Sequence, residues 1–163
     1  MKILIVAGAR NGKDTVAQMI TDEIGLKFQG SSYKAAEIFI YDELKAKYGY
    51  NSFEECFEDR INHRAEWHKL ICEYNIDDKA RLAKEILKDS DMYVGMRSNI
   101  ELEECQNQGI FDLIIGVYDP RKEEEPKDSF DIDIWKWCDF IIMNNSDLQT
   151  LQKRVKLFCK MLK

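Results

Sequence analysis

Near the start of the chain, Ala7-Gly8-Ala9-Arg10-Asn11-Gly12-Lys13-Asp14-Thr15 brings glycines, a lysine and a hydroxyl into one short stretch. Glycines let a backbone turn tightly and approach an anion. Successive amides and the positive end of a following helix then face that anion. Lys13 adds a mobile cation suited to β- and γ-phosphates, and a first-turn hydroxyl such as Thr15 can hold magnesium directly or through water. A lysine in the first turn of a helix is unfavourable unless an anion sits there. The stretch predicts a phosphate-binding loop for ATP, contacted by Gly8, Ala9, Arg10, Asn11, Gly12, Lys13, Asp14 and Thr15. Its spacing departs from G-x-x-x-x-G-K-[ST]. Counting back from Gly12 puts Ala7 at the first glycine position, and Asp14 stands where Ser or Thr is expected.

Phosphoryl transfer asks a protein mainly to position two anions and neutralise the moving charge. Arginines outside the loop are therefore the next candidates. Arg60 and Arg64 are spaced one helical turn apart, and His68 continues the stripe. Two guanidiniums so placed can grip one phosphate. They could equally pair with Glu55 or Asp59 on a solvated face. Arg97 follows an apolar run, at the end of a strand where open parallel sheets put their ligands. Arg121 and Lys122 open a charged segment, and Ser31 and Ser32 follow the second strand.

The elements that must carry these groups can be read from periodicity. Ile3 to Ala7 is a continuous β-branched run, the mark of a strand buried on both faces. Val16, Ala17, Met19, Ile20 and Ile24 form a helical stripe stopped by Gly25. A short strand is expected over Leu26 to Gln29. A helix ending at Gly49 follows, then one opened by the capping box at Ser52 and Glu55. Further helices are expected over Lys79 to Lys88, and from a second capping box at Ser98 and Glu101 to Gly109. Met92 to Met96, Phe111 to Tyr118 and Phe140 to Met143 read as strands. Ser146 is expected to cap a final helix carrying Leu148, Leu151, Val155, Phe158 and Leu162. The alternation predicts an α/β domain: a parallel sheet of about five strands with helices on both faces. Residues 119–134 are charged, aperiodic and hold both prolines, so they are the candidate lid.

Length and composition bound the rest. The chain has 163 residues, enough for one domain, and 45% are hydrophobic. Its 24 Lys and Arg against 30 Asp and Glu give a formal net charge of −6. That balance argues against a DNA-coating protein, so nucleic acid is not an expected partner. Five cysteines without a CxxC pair read as reduced thiols, and the two histidines are not spaced as zinc ligands. No apolar stretch reaches membrane-spanning length. Cytoplasmic location is the expectation, with small-molecule nucleotides as partners and a homodimer left open.

At Gly12-Lys13-Asp14-Thr15 the sequence resembles the phage-type deoxynucleoside monophosphate kinases, within the P-loop nucleoside monophosphate kinase family. In that group the hydroxyl often comes second after the lysine, which is the place of Thr15. Val94 to Glu101 is similar to their strand-end segment D-V-R-x-x-x-E, with Gly95 where Asp often stands. Phe111 to Pro120 resembles the strand leading to an arginine-bearing lid, and Asp139 to Asn145 their last strand. The resemblance implies a single three-layer P-loop domain over 1–163, with an acceptor-binding helical region at about 31–90 and a lid at about 119–134. It implies ATP and Mg2+ as cofactors, with Thr15 placing the metal. Lys13, Arg97 and Arg121 would act on the transferred phosphoryl group. Ser32, Arg60, Arg64 and Arg97 would hold the acceptor. A phage origin would place the protein in the host cytoplasm. Two other readings keep the loop: a kinase for a modified base in DNA or another small hydroxyl, and a nucleotide-binding regulatory protein without transfer activity.

Overall fold

In the computed structural model, which describes residues 1–163, strands β1 (Ile3–Val6), β2 (Phe28–Gly30), β3 (Met92–Val94), β4 (Leu113–Tyr118) and β5 (Phe140–Met143) form one sheet. Their order is β2-β3-β1-β4-β5 and every pairing is parallel. Parallel strands need crossovers, and helices supply them on both faces. On one face Ile3, Ile5, Val94, Ile115 and Val117 pack against α1 (Lys13–Ile24) and α9 (Leu148–Leu162). On the other, Leu4, Val6, Tyr93 and Ile114 pack against a helical layer built mainly from residues between β2 and β3. Alternate residues of β1 thus serve two cores, which explains why its sequence is apolar without a break. No helix is long and apolar enough to cross a membrane.

The layer between β2 and β3 is α2 (Ser31–Ala35), a π-turn (Ala36–Ile40), α3 (Tyr41–Tyr48), α4 (Phe53–Asp59), a 3-10 turn (Arg60–Asn62), α5 (Arg64–Tyr74) and α6 (Arg81–Asp89). Beyond β3 lie α7 (Asn99–Asn107) and the short α8 (Ile134–Trp137). Ser52 caps α4 as expected: its hydroxyl accepts the Glu55 amide at 3.1 Å, and the Glu55 carboxylate takes the Asn51 amide at 2.7 Å.

Several expectations need correction. Arg60 and Arg64 do not share a helix, because the chain tightens into the 3-10 turn and His63 breaks out at φ −129° and ψ 29°. The second capping box does not form. The Ser98 hydroxyl accepts no first-turn amide, Asp131 accepts the Asn99 amide at 2.6 Å, and Glu101 turns into the protein. Asp147 rather than Ser146 caps α9, accepting the Thr150 amide at 2.7 Å. β3 stops at Val94 because Gly95, at φ 99°, turns the chain out of the sheet.

Candidate phosphate and acceptor site

The loop between β1 and α1 is held by its own side chains. Arg10, at φ 61°, and Gly12, at φ 94°, both lie in the left-handed region, so the backbone reverses twice within three residues. Asn11 turns inward. Its amide nitrogen donates to the Ala9 carbonyl at 3.0 Å, and its amide oxygen accepts the backbone N–H of Asp119 at 2.7 Å. Asn144, beyond β5, donates to the Asn11 carbonyl at 3.0 Å. A β-carbon on Gly12 would lie 2.7 Å from that Asn144 amide, so glycine is required there on both steric and conformational grounds. Asn11 thus braces the loop to the ends of β4 and β5.

Gly12 is the N-cap of α1, with no side chain capping the first turn. Its free amides, the helix dipole and Lys13 converge as an anion site. Lys13 Nζ is 2.9 Å from Asp14 Oδ2. Asp14, and not Thr15, lies on the cavity wall beside it, while Thr15 faces outward. Beneath Lys13 sits Gly95. A β-carbon there would meet Lys13 Cε at 3.4 Å and Ser31 Oγ at 3.3 Å. The turn at Gly95 leaves room for the lysine stem.

From Lys13 a cavity of about 580 Å3 opens toward the helical layer. Arg10, Arg60, Arg64 and Arg97 line it, as do Ser31 and Ser32. The 3-10 turn therefore changes how Arg60 and Arg64 are carried, yet both still reach one cavity. Arg60 is half-buried, with its guanidinium 3.8 Å from the Phe57 ring centre and bonded to the Phe57 carbonyl at 2.7 Å. Burial and then the neighbouring Arg64 push its pKa down, against a smaller opposing pull from Asp14. The acids expected to neutralise this pair are engaged elsewhere. Glu55 caps the start of α4, and Asp59 accepts from Tyr50, Asn62 and His63. Arg10, Arg60 and Arg64 have no carboxylate within 4.0 Å, so none of the three is directly paired in the cavity wall.

Other lining residues of the cavity differ in character. Trp67, one turn beyond Arg64, is 4% exposed, and its indole N–H has no hydrogen-bond partner. An unmet buried donor is uncommon and costly. Nearby on the wall is Glu101, whose Oε1 accepts from Asn75 at 3.1 Å. Asn75 is fixed in that orientation because its own oxygen accepts the Leu82 amide at 3.0 Å. Burial pushes the Glu101 carboxyl up to about 7, against smaller pulls from Asn75 and Lys79.

Arg97 and Arg121 are both paired. Arg97 Nη1 is 2.7 Å from Glu125 Oε1, and Glu125 Oε2 accepts the Ala9 amide of the phosphate loop at 2.6 Å. Arg121 does not line this cavity. It clamps the buried Asp119 with Nε at 2.8 Å and reaches the carbonyl of Asn144 at 2.9 Å. That clamp holds the Asp119 carboxyl at about 2, well below the usual range. Its observed contacts tie the β4 end to the β5 end rather than reaching into the cavity. Spacing along α5 could have pointed to Trp67. Nothing in the acidic run 123–125 singled out Glu125.

No family model matches this sequence, and no curated protein does. Solved structures do match along nearly the whole chain. A shikimate kinase from Bacteroides thetaiotaomicron has a TM-score of 0.54 and 11% identity, covering 99% of this chain and 98% of that one. A gluconokinase from Sinorhizobium meliloti 1021 has 0.54 and 10%, over 99% and 92%. A dephospho-CoA kinase from Campylobacter jejuni has 0.52 and 14%, over 99% and 97%. The chain has the three-layer α/β fold of the small P-loop kinases, with the β1–α1 loop at the carboxyl edge of the central strand.

Proposed function

We propose that this protein transfers the γ-phosphoryl group of ATP to a nucleoside or deoxynucleoside monophosphate, giving the diphosphate and ADP. The carrying observation is the pair Arg60 and Arg64, which line the cavity facing Lys13 with no carboxylate partner. The fold is shared by proteins named as kinases of shikimate, gluconate and dephospho-CoA, so the acceptor has to be argued from the cavity. An acceptor that already carries a phosphate would neutralise Arg60 and Arg64. Its base would lie against the part of the wall that Trp67 and Glu101 help to line. A nucleobase edge presents both acceptors and donors to such a pair.

In the reaction, an oxygen of the acceptor phosphate bonds to the γ-phosphorus as the bridging bond to ADP breaks. Lys13 and the first-turn amides hold the donor phosphates and stabilise charge on the leaving oxygen. Arg60 and Arg64 keep the acceptor oxygen in line, and Ser32 lines the same wall. Magnesium would be the companion ion of ATP at this site. Asp14 on the wall supplies a hard carboxylate oxygen beside Lys13, whereas the Thr15 hydroxyl, expected to place the metal, is exposed and off that wall. A single carboxylate suits an ion which keeps waters and phosphate oxygens as ligands, so the residues fit. When bound, magnesium would supply charge neutralisation on the phosphate oxygens.

The test is ADP release with Mg-ATP against a panel of nucleoside and deoxynucleoside monophosphates, with Lys13→Ala as control. Release that needs one acceptor and disappears in Lys13→Ala is the expected result. ATP binding without acceptor-dependent release would sink this function and leave another acceptor or a nucleotide sensor.

A further inference from the structure

The strap between β4 and α8 turns one acidic side chain inward. Glu123, Glu124, Pro126, Lys127 and Asp128 are exposed, whereas the Glu125 side chain is 10% exposed. No helix or strand orders this stretch. Its two ends are pinned: the Asp119 amide donates to Asn11 at 2.7 Å, and Asp131 accepts the Asn99 amide at 2.6 Å. Between them, Glu125 makes the link to the phosphate loop. Its Oε2 accepts the Ala9 amide at 2.6 Å, and its Oε1 accepts from Arg97 at 2.7 Å and from the Ser129 hydroxyl at 2.9 Å.

These partners are of the kind a phosphate uses. Ala9 N–H belongs to the loop whose amides face an anion, and Arg97 is a guanidinium on the acceptor cavity. A carboxylate oxygen and a phosphoryl oxygen present the same thing, a charged acceptor. One amide cannot serve both at 2.6 Å. Burial works against charge on Glu125, but Arg97, Ser129 and the Ala9 amide outweigh it and leave its carboxyl below the usual range.

We propose that Glu125 competes with nucleotide phosphate for the loop: its carboxylate holds the Ala9 amide until phosphate displaces it, and displacement frees Arg97 for the acceptor. The proposal rests on the phosphate-loop reading above. It makes two site events reciprocal, because the group that yields to the donor nucleotide also releases an arginine for the second substrate. It also gives the charged strap a task, as the segment that lifts when the loop is loaded.

Two measurements test it on the full chain. The first is calorimetric binding of ADP, and of inorganic tripolyphosphate as a probe without base or sugar, to wild type, Glu125→Gln, Glu125→Ala and Lys13→Ala. Loss of one charge-assisted competitor should tighten binding in both Glu125 variants by about tenfold or more. The second is trypsin cleavage after Lys122 and Lys127. Tripolyphosphate should speed it in wild type, and the variants should be cut fast without it. Equal or weaker binding by the variants, or a strap protected by tripolyphosphate, overturns the proposal while the phosphate loop stands. Absence of binding by wild type and variants together sinks the loop reading and this inference with it. Glu125→Gln keeps the side-chain volume, so it decides the matter if Glu125→Ala unfolds.

Discussion

Glu101 and Gly95 show how single residues set conditions at this site. Glu101 is 7% exposed and its carboxyl is raised to about 7, first by burial. A folded-state value above the unfolded one of about 4.3 means the native protein binds more protons between those two values. The stability contributed by protonated Glu101 is fully present below the unfolded value and is lost as pH rises through about 7. The effect is at most about 4 kcal/mol. Glu101→Gln should therefore gain stability relative to wild type at pH 8 but not at pH 4.5, in urea unfolding at the two pH values. A constant offset across pH would show that Glu101 is charged in the folded state. Gly95→Ala adds a methyl under Lys13 at φ 99°, where an L side chain is strained. It should cost about 1–3 kcal/mol in thermal unfolding and lower acceptor-dependent ADP release. Wild-type values for both would mean the turn accepts a β-carbon.

At the scale of elements, the central strands leave little room for change. Gly116 lies in β4 where a β-carbon would sit 3.0 Å from Cys138 Sγ and 3.3 Å from Ile141 Cγ1. Gly116→Val should overpack the β4–α8–β5 contact and destabilise by about 1–3 kcal/mol, read as a lower urea midpoint with an unchanged slope. The final helix tests a local device. Asp147→Ala removes its only side-chain cap and should cost about 1 kcal/mol in the same assay. No loss at Asp147 would mean that packing of α9 against α1, rather than capping, sets its start.

At the scale of the whole molecule, the site is assembled from distant pieces. Lys13 comes from the first helix, Arg60 and Arg64 from the layer between β2 and β3, and Arg97 from the end of β3. If those arginines hold the acceptor phosphate, Arg64→Ala should raise the KM for the acceptor by about tenfold or more with a smaller change in kcat. A fall in kcat alone, at constant KM, would place Arg64 on the transition state instead.

The amino-acid sequence by itself determined the strands, the loop between β1 and α1 and the sidedness of the domain. Those features are local: an unbroken apolar run, a helical stripe and glycines at turns each follow from their own neighbours. Lys13, Arg60 and Arg64 stood out as candidates by residue type, although the single helix expected to carry the two arginines is broken at His63. Tertiary structure decided everything that depends on distant segments meeting. Glu101 reads as a cap in sequence, yet it turns inward to accept from Asn75, and the first-turn amide of Asn99 is met by Asp131 from a distant loop. Arg121 reads as a lid residue, yet Asp119 and Asn144 hold it at the sheet edge. Glu125 is one acid in a charged run until folding sets it 2.6 Å from Ala9, a partner more than a hundred residues away in sequence. A side chain's partner is fixed by which surfaces the sheet brings together, and strand order is a long-range property that no local pattern carries.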